Sequence, residues 1–143
     1  ITFVKNAAEK QKVIVAAAEG NKPKIESAPV VAIIAYDVQF SNHIEKLAPH
    51  MNADTFRQQE STKLEQIAIE KCWLQAGFLI AAARAIGLDC GPMSGFDKAK
   101  IDEAFYQGTS WRSDLLMNLG YGDASKLHPR GHRLSFDEAC SIV

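Results

Sequence analysis

The stretch Gly87-Leu88-Asp89-Cys90-Gly91-Pro92-Met93-Ser94-Gly95-Phe96-Asp97 joins a long apolar helical pattern to a short amphipathic one through glycines and a proline. Gly87, Gly91 and Gly95 permit positive φ and close backbone approach to a ligand, while Pro92 fixes its own φ and pushes Gly91 toward extended geometry. The expectation is a rigid, preformed loop that lays backbone N–H groups against a flat ligand. Asp97 then opens the run Lys98–Phe105, where its carboxylate can cap the free N–H groups of a helix start. The alternative for the same residues is a helix C-cap at Gly87 followed by an ordinary connection.

Upstream of this stretch, Thr62 and Glu65 have capping-box spacing, which predicts a helix from Ser61 or Thr62 to Ile86, ended by Gly87. Such a helix is about 25 residues, or roughly 38 Å, long. Its second half, Cys72–Leu88, is apolar nearly all round except for Gln75 and Arg84. At about 17 residues it falls short of the roughly 20 that a bilayer span requires, so a long buried helix is expected and a membrane is not. The small residues Ala76, Gly77, Ala81, Ala82 and Ala83 suit close packing against a second copy, which predicts a homodimer.

Toward the N-terminus, Val30–Tyr36 is a continuous apolar run rich in β-branched residues, the pattern of a strand buried on both faces. Ile1–Lys5 alternates as a strand, and Asn6 with Glu9 predicts a capped helix to about Ala18. Gly20–Pro29 reads as a polar connection, Val38–Leu47 as a short helix, and Ala48–Arg57 as a loop bordering a substrate site. Toward the C-terminus, Leu115–Leu119 reads as a strand ending in the turn Gly120–Asp123, and Ser135 with Glu138 forms a capping box for a last short helix. Strands alternating with helices predict an α/β or α+β layered fold, one domain spanning residues 1–143.

Composition narrows the function. A chain of 143 residues, 47% hydrophobic and with net charge -1, can build a real core and gives no reason to expect nucleic acid or an acidic membrane as partner. Cys72, Cys90 and Cys140 are odd in number and far apart, which fits neither a disulfide framework nor zinc spacing and points to a reducing, cytoplasmic setting. His128 and His132 straddle Pro129 and Gly131, so they are not paired metal ligands on a helix. Cys90 lacks a basic neighbour in sequence and reads as a packed thiol rather than a nucleophile. The cluster Lys126, His128, Arg130, His132 and Arg133 suits a phosphate, since the planar guanidinium donates two parallel hydrogen bonds; the alternative for the same residues is a solvated basic loop. No signal-peptide pattern opens the chain, and Ile1–Val4 reads as the middle of a protein, so a preceding segment is expected.

The succession of long apolar helix, GLDCGPMSGFD, helix, LLMNLGYGD and basic RGHRLSFDEA resembles the flavin-dependent nitroreductase family, in particular its branch of malonic semialdehyde reductases and NADH dehydrogenases from pyrimidine degradation. The resemblance, which extends to ESAPVVAIIAYD, covers essentially the whole chain. It implies a three-layer sandwich around a central mixed sheet, and FMN held at a homodimer interface. NADH or NADPH would give hydride to the flavin, and a small electrophile, such as malonic semialdehyde, would take it in a ping-pong sequence. Pro92, Met93, Ser94 and Gly95 would lie along the isoalloxazine, with a backbone N–H of Ser94 or Gly95 toward its N5 and O4 edge. Arg133, and with it Arg130, would bind the phosphate, and Asn21 the pyrimidine edge. No protein nucleophile or metal is needed, because hydride chemistry belongs to the flavin. Nitroaromatic or quinone reduction, and a non-catalytic flavin-binding dimer module, are the alternatives. In relatives a basic, phosphate-binding segment precedes the position of Ile1, and a second basic residue often stands where this chain has Gly131.

Overall fold

The computed structural model describes residues 1–143. Its sheet is built from β1 (Thr2–Val4), β2 (Val30–Asp37), β3 (Asp89–Met93) and β4 (Trp111–Gly120) in the order β1-β2-β4-β3. Every neighbouring pair is antiparallel, so the central sheet is not mixed within this chain. Seven α-helices accompany it: α1 (Ala7–Ala16), α2 (Lys22–Ser27), α3 (Ile44–Leu47), α4 (Ala53–Arg57), α5 (Ser61–Ala85), α6 (Lys98–Phe105) and α7 (Phe136–Ala139).

Alternation along β2 assigns the layers. Val31 and Ile33 face Val13 and Ala16 of α1, Ile25 of α2 and Ile101 of α6 in one apolar cluster. Ala32 and Ile34 face the other way, against Cys72, Ala76 and Ala83 of α5. Successive side chains on a strand point to opposite faces, so a strand covered on both sides needs the unbroken apolar run found here. The result is the expected α/β/α sandwich.

Helix α5 is buried only along a stripe. Ala68, Cys72, Ala76 and Ala83 are buried and recur at helical spacing, the last three packed against the sheet. On its outer side Trp73 is 47%, Leu74 58% and Phe78 68% exposed, so the long helix is not enclosed within a single chain.

Several local expectations are corrected. The stretch after Gly87 is not wholly a loop: Asp89–Met93 pairs with β4, placing Pro92 opposite Met117. Pro92 is tolerated because β3 lies at the sheet edge. Only Gly87 in this stretch has positive φ, 87°, where it ends α5; Gly91 and Gly95 do not use that freedom. Thr62 and Glu65 form no capping box, since Glu60 is the N-cap and Glu65 instead accepts a 2.8 Å hydrogen bond from the Tyr36 hydroxyl. Ala48–Arg57 contains α4, started by Asn52 whose side chain accepts from Asp54 N. Gly20–Pro29 contains α2, with Pro23 in its first turn where no N–H is required.

Other local signals hold. Asn6 Oδ1 accepts from Ala8 N at 2.8 Å and from Glu9 N at 3.4 Å, although α1 ends at Ala16. The Ser135–Glu138 capping box is formed, and Asp97 accepts from Lys100 N to start α6.

Candidate functional site

The short connection from β3 to α6 carries the candidate site. Met93 is buried in the core between α1 and the sheet, so it fixes the strand end and can offer a ligand only its backbone. Pro92, Ser94 and Gly95 are exposed. Past them the chain is held again, because Phe96 N donates to Ser94 O at 3.1 Å and Asp97 N to Ala16 O at 2.8 Å. The N–H groups of Ser94 and Gly95 make no hydrogen bond within the chain. Two adjacent donors are thus left free on a segment whose ends are fixed.

The loop is also held from the side. Gly95 O accepts from Ala18 N at 2.9 Å and from Asn21 Nδ2 at 3.1 Å. A Cβ at residue 95 would stand 3.0 Å from that same nitrogen, so a larger residue would require the Asn21 amide to give way, and it is close approach rather than an unusual φ that glycine serves here. Asn21 is therefore brought to the predicted site, with its amide N–H already committed to the loop.

The basic tail is not brought there. Residues 121–143 are exposed throughout, and every hydrogen bond of residues 123–143 closes within that segment. Arg133 Nη1 donates to Gly131 O and His132 O, both at 3.1 Å. Gly122 N, donating to Asp89 Oδ2 at 2.8 Å, marks the last hydrogen bond to the body of the fold. Arg130 and Arg133 make no hydrogen bond to the Pro92–Gly95 loop.

Sequence reading missed a polar group beside the loop. Asp114 on β4 is 4% exposed and pairs with Lys98, the first residue of α6. Ser113 N donates to Asp102 Oδ1 at 2.7 Å, and Ser113 Oγ to Lys98 O at 3.3 Å. The sign available in sequence was a charged residue immediately before the largely apolar run Leu115–Leu119. A separate cleft of about 320 Å³, lined by residues including Phe3, Pro29, Leu88 and Tyr121, lies at the other end of β4 and contains none of the predicted site residues.

The fold is a three-layer sandwich whose β3–α6 loop carries two adjacent backbone N–H groups, of Ser94 and Gly95, with no partner in the chain, while the Gly95 carbonyl is anchored. A family model, the Nitroreductase family, matches residues 2–121. Proteins named NADH dehydrogenase/NAD(P)H nitroreductase are 44% identical in Ralstonia nicotianae and 50% identical in Stutzerimonas stutzeri, each over 99% of this chain and 72% of the relative. Among solved structures, a Bacillus subtilis nitroreductase superposes with TM-score 0.86 at 19% identity, covering 99% of this chain and 76% of that one. An Exiguobacterium sibiricum nitroreductase in complex with FMN superposes with TM-score 0.84 at 17% identity, with the same coverage. The chain belongs to the nitroreductase family, and with it to the NAD(P)H-dependent oxidoreductases.

Nitroreductases are FMN-dependent. The residues present fit that group: flavin carries acceptor atoms along one edge, and the Ser94 and Gly95 N–H groups are exposed donors without partners. Arg130 and Arg133, the residues expected at the phosphate, make no hydrogen bond to that loop within one chain.

Proposed function

We propose that this chain binds FMN at a homodimer interface and uses NADH or NADPH to reduce a small electrophile, a short semialdehyde such as malonic semialdehyde. FMN, when bound, supplies the hydride chemistry. Ser94 and Gly95 N–H groups hydrogen-bond the polar edge of the ring and stabilise negative charge there, a role suited to preorganised backbone donors. Pro92 provides an exposed, stiff surface, and buried Met93 keeps the strand end in place. Asn21 orients Gly95 and lies beside the pyrimidine edge. Arg133 and Arg130 bind the phosphate from the exposed tail, and donor and acceptor take turns in a ping-pong cycle. The observation that carries this reading is the adjacent pair of free N–H groups on a loop held at both ends.

The dimer is favoured by the outer face of α5, where Trp73, Leu74 and Phe78 leave a contiguous helical stretch of apolar surface exposed. The free state of Cys72, Cys90 and Cys140 suits a reducing, cytoplasmic setting. A second reading, reduction of a nitroaromatic or quinone, is favoured by the names of the relatives.

The test is the visible spectrum of the purified chain and its response to anaerobic NADH. A flavin spectrum that bleaches supports the cofactor and donor. A colourless chain that cannot be reconstituted with FMN removes the reading and leaves a non-catalytic module. Steady-state NADH oxidation with malonic semialdehyde against a quinone then separates the two acceptors.

A further inference from the structure

One acidic side chain is buried near the loop with half of its hydrogen-bonding capacity unused. The β2–β4 register slips between Ile34, opposite Leu115, and Ala35, opposite Ser113, so Asp114 is the extra residue of a β-bulge. Pairing between β3 and β4 ends at Met93 opposite Leu116. Asp114 therefore lies just beyond the end of β3, where β4 has no strand on that side. Lys98 reaches into this gap and donates to Asp114 Oδ1. Asp114 Oδ2 is buried and has no partner.

The bulge holds α6 at more than one point. Beside the Lys98–Asp114 ion pair, Asp102 Oδ1 receives Ser113 N at 2.7 Å, and Lys98 O receives Ser113 Oγ at 3.3 Å. Two consecutive bulge residues thus grip the first two turns of α6. The helix begins directly after the Ser94–Phe96 turn, so its first turn fixes where that turn can point. The other anchor is on the α1 side, through Ala16 O, Ala18 N and Asn21 Nδ2.

A carboxylate buried in this way, with a half-exposed lysine as its partner, is poorly explained by stability. Desolvating a carboxylate costs several kcal/mol, and an apolar residue of similar volume often serves the fold as well or better. What an ion pair and a bulge can supply is a single defined placement of one element on another.

We propose that Asp114 is a positioning residue for the flavin-edge loop, acting through Lys98 and the first turn of α6 to set the direction of the Ser94 and Gly95 N–H groups. The inference rests on the FMN reading above.

The test compares the unmodified chain with D114N, K98Q and the double variant, reading FMN affinity by flavin fluorescence and amide hydrogen exchange without FMN. Each single variant is expected to weaken FMN binding about tenfold, and the double variant no further than the weaker single, because the pair acts as a unit. The Asp97 and Ser113 amides should exchange faster while those of β2, such as Ile33, are unchanged. K98Q keeps the test open if D114N does not fold, because Lys98 is half exposed. FMN affinity within twofold of the unmodified chain in both singles overturns the proposal. So does faster exchange spread evenly over β2, which marks a merely structural role. An unmodified chain that binds no FMN removes the cofactor reading instead, and the exchange comparison alone then decides whether Asp114 anchors the loop: unchanged Asp97 exchange overturns that too.

Discussion

Asn21 and Gly95 stand 74 residues apart in sequence and meet through a 3.1 Å hydrogen bond from the asparagine amide to the glycine carbonyl. A Cβ on residue 95 would lie 3.0 Å from the donor nitrogen, inside ordinary contact. G95A is therefore expected to push Asn21 away and cost the loop this bond, worth about 1 kcal/mol. If the loop holds FMN, affinity should fall about fivefold, the equivalent of that energy. N21A removes the same bond from the other side, so a fluorescence titration of the double variant should match the singles. Additive losses would mean that the two residues act separately.

Alkaline pH should destabilise the fold through two tyrosines. Burial, helped by the hydrogen bond to Glu65, raises Tyr36 well above the ordinary tyrosine value; burial also raises Tyr106, opposed by its bond to Thr2. The folded state then holds these protons more tightly than the unfolded chain. Stability from this source is complete below about pH 10, the unfolded value, and declines as pH rises toward the folded values. Y36F should lose the hydrogen bond, about 1 kcal/mol at neutral pH, and flatten the decline. Urea midpoints measured from pH 8 to 11 check both effects, and an equal slope in Y36F and the unmodified chain would exclude Tyr36 as a source.

What the sequence made legible follows from where local pattern agrees with packing. Val30–Tyr36 is readable because burial on two faces leaves an unbroken apolar run, whereas the later half of α5 reads as apolar nearly all round and does not reveal that only a stripe, Ala68, Cys72, Ala76 and Ala83, is buried. Strand β3 was hidden because Gly91 and Pro92 are poor strand formers, and only the ladder to β4 holds them extended. Glu65 had the right spacing for a cap, but tertiary structure assigns it to Tyr36. The free N–H groups of Ser94 and Gly95 fall where a loop was expected, whereas the Asp114 bulge depends on strand register, which no local spacing encodes. The tail arginines were singled out by their chemistry, yet after Gly122 no hydrogen bond ties the tail to the body of the fold, a matter of chain path that local spacing does not encode.

Arg133 offers a way to separate binding from folding. Its guanidinium bonds only to Gly131 O and His132 O in the exposed tail, so R133A should leave the thermal midpoint within error. On the FMN reading it should nevertheless lose a charge-assisted bond to phosphate, roughly 1.5–3 kcal/mol, or about ten- to a hundredfold in FMN affinity. Riboflavin, which lacks the phosphate, should bind R133A and the unmodified chain alike. An unchanged FMN affinity would take Arg133 out of the phosphate site.

Gly77 tests the outer face of α5. It precedes Phe78 on the exposed side, and a Cβ built there meets nothing within 4 Å. Leucine at that position should be harmless to the single chain, and by helix propensity it should stabilise α5 by about 0.5–1 kcal/mol. If two copies pack closely across this face, the same side chain must occupy space the partner needs, since overpacking a tight interface costs about 1–3 kcal/mol. G77L is therefore expected to sediment as a monomer at concentrations where the unmodified chain is a dimer, while its melting transition remains cooperative. A dimer of unchanged affinity would show that α5 meets no partner at Gly77, and would move the interface to another surface of the sandwich.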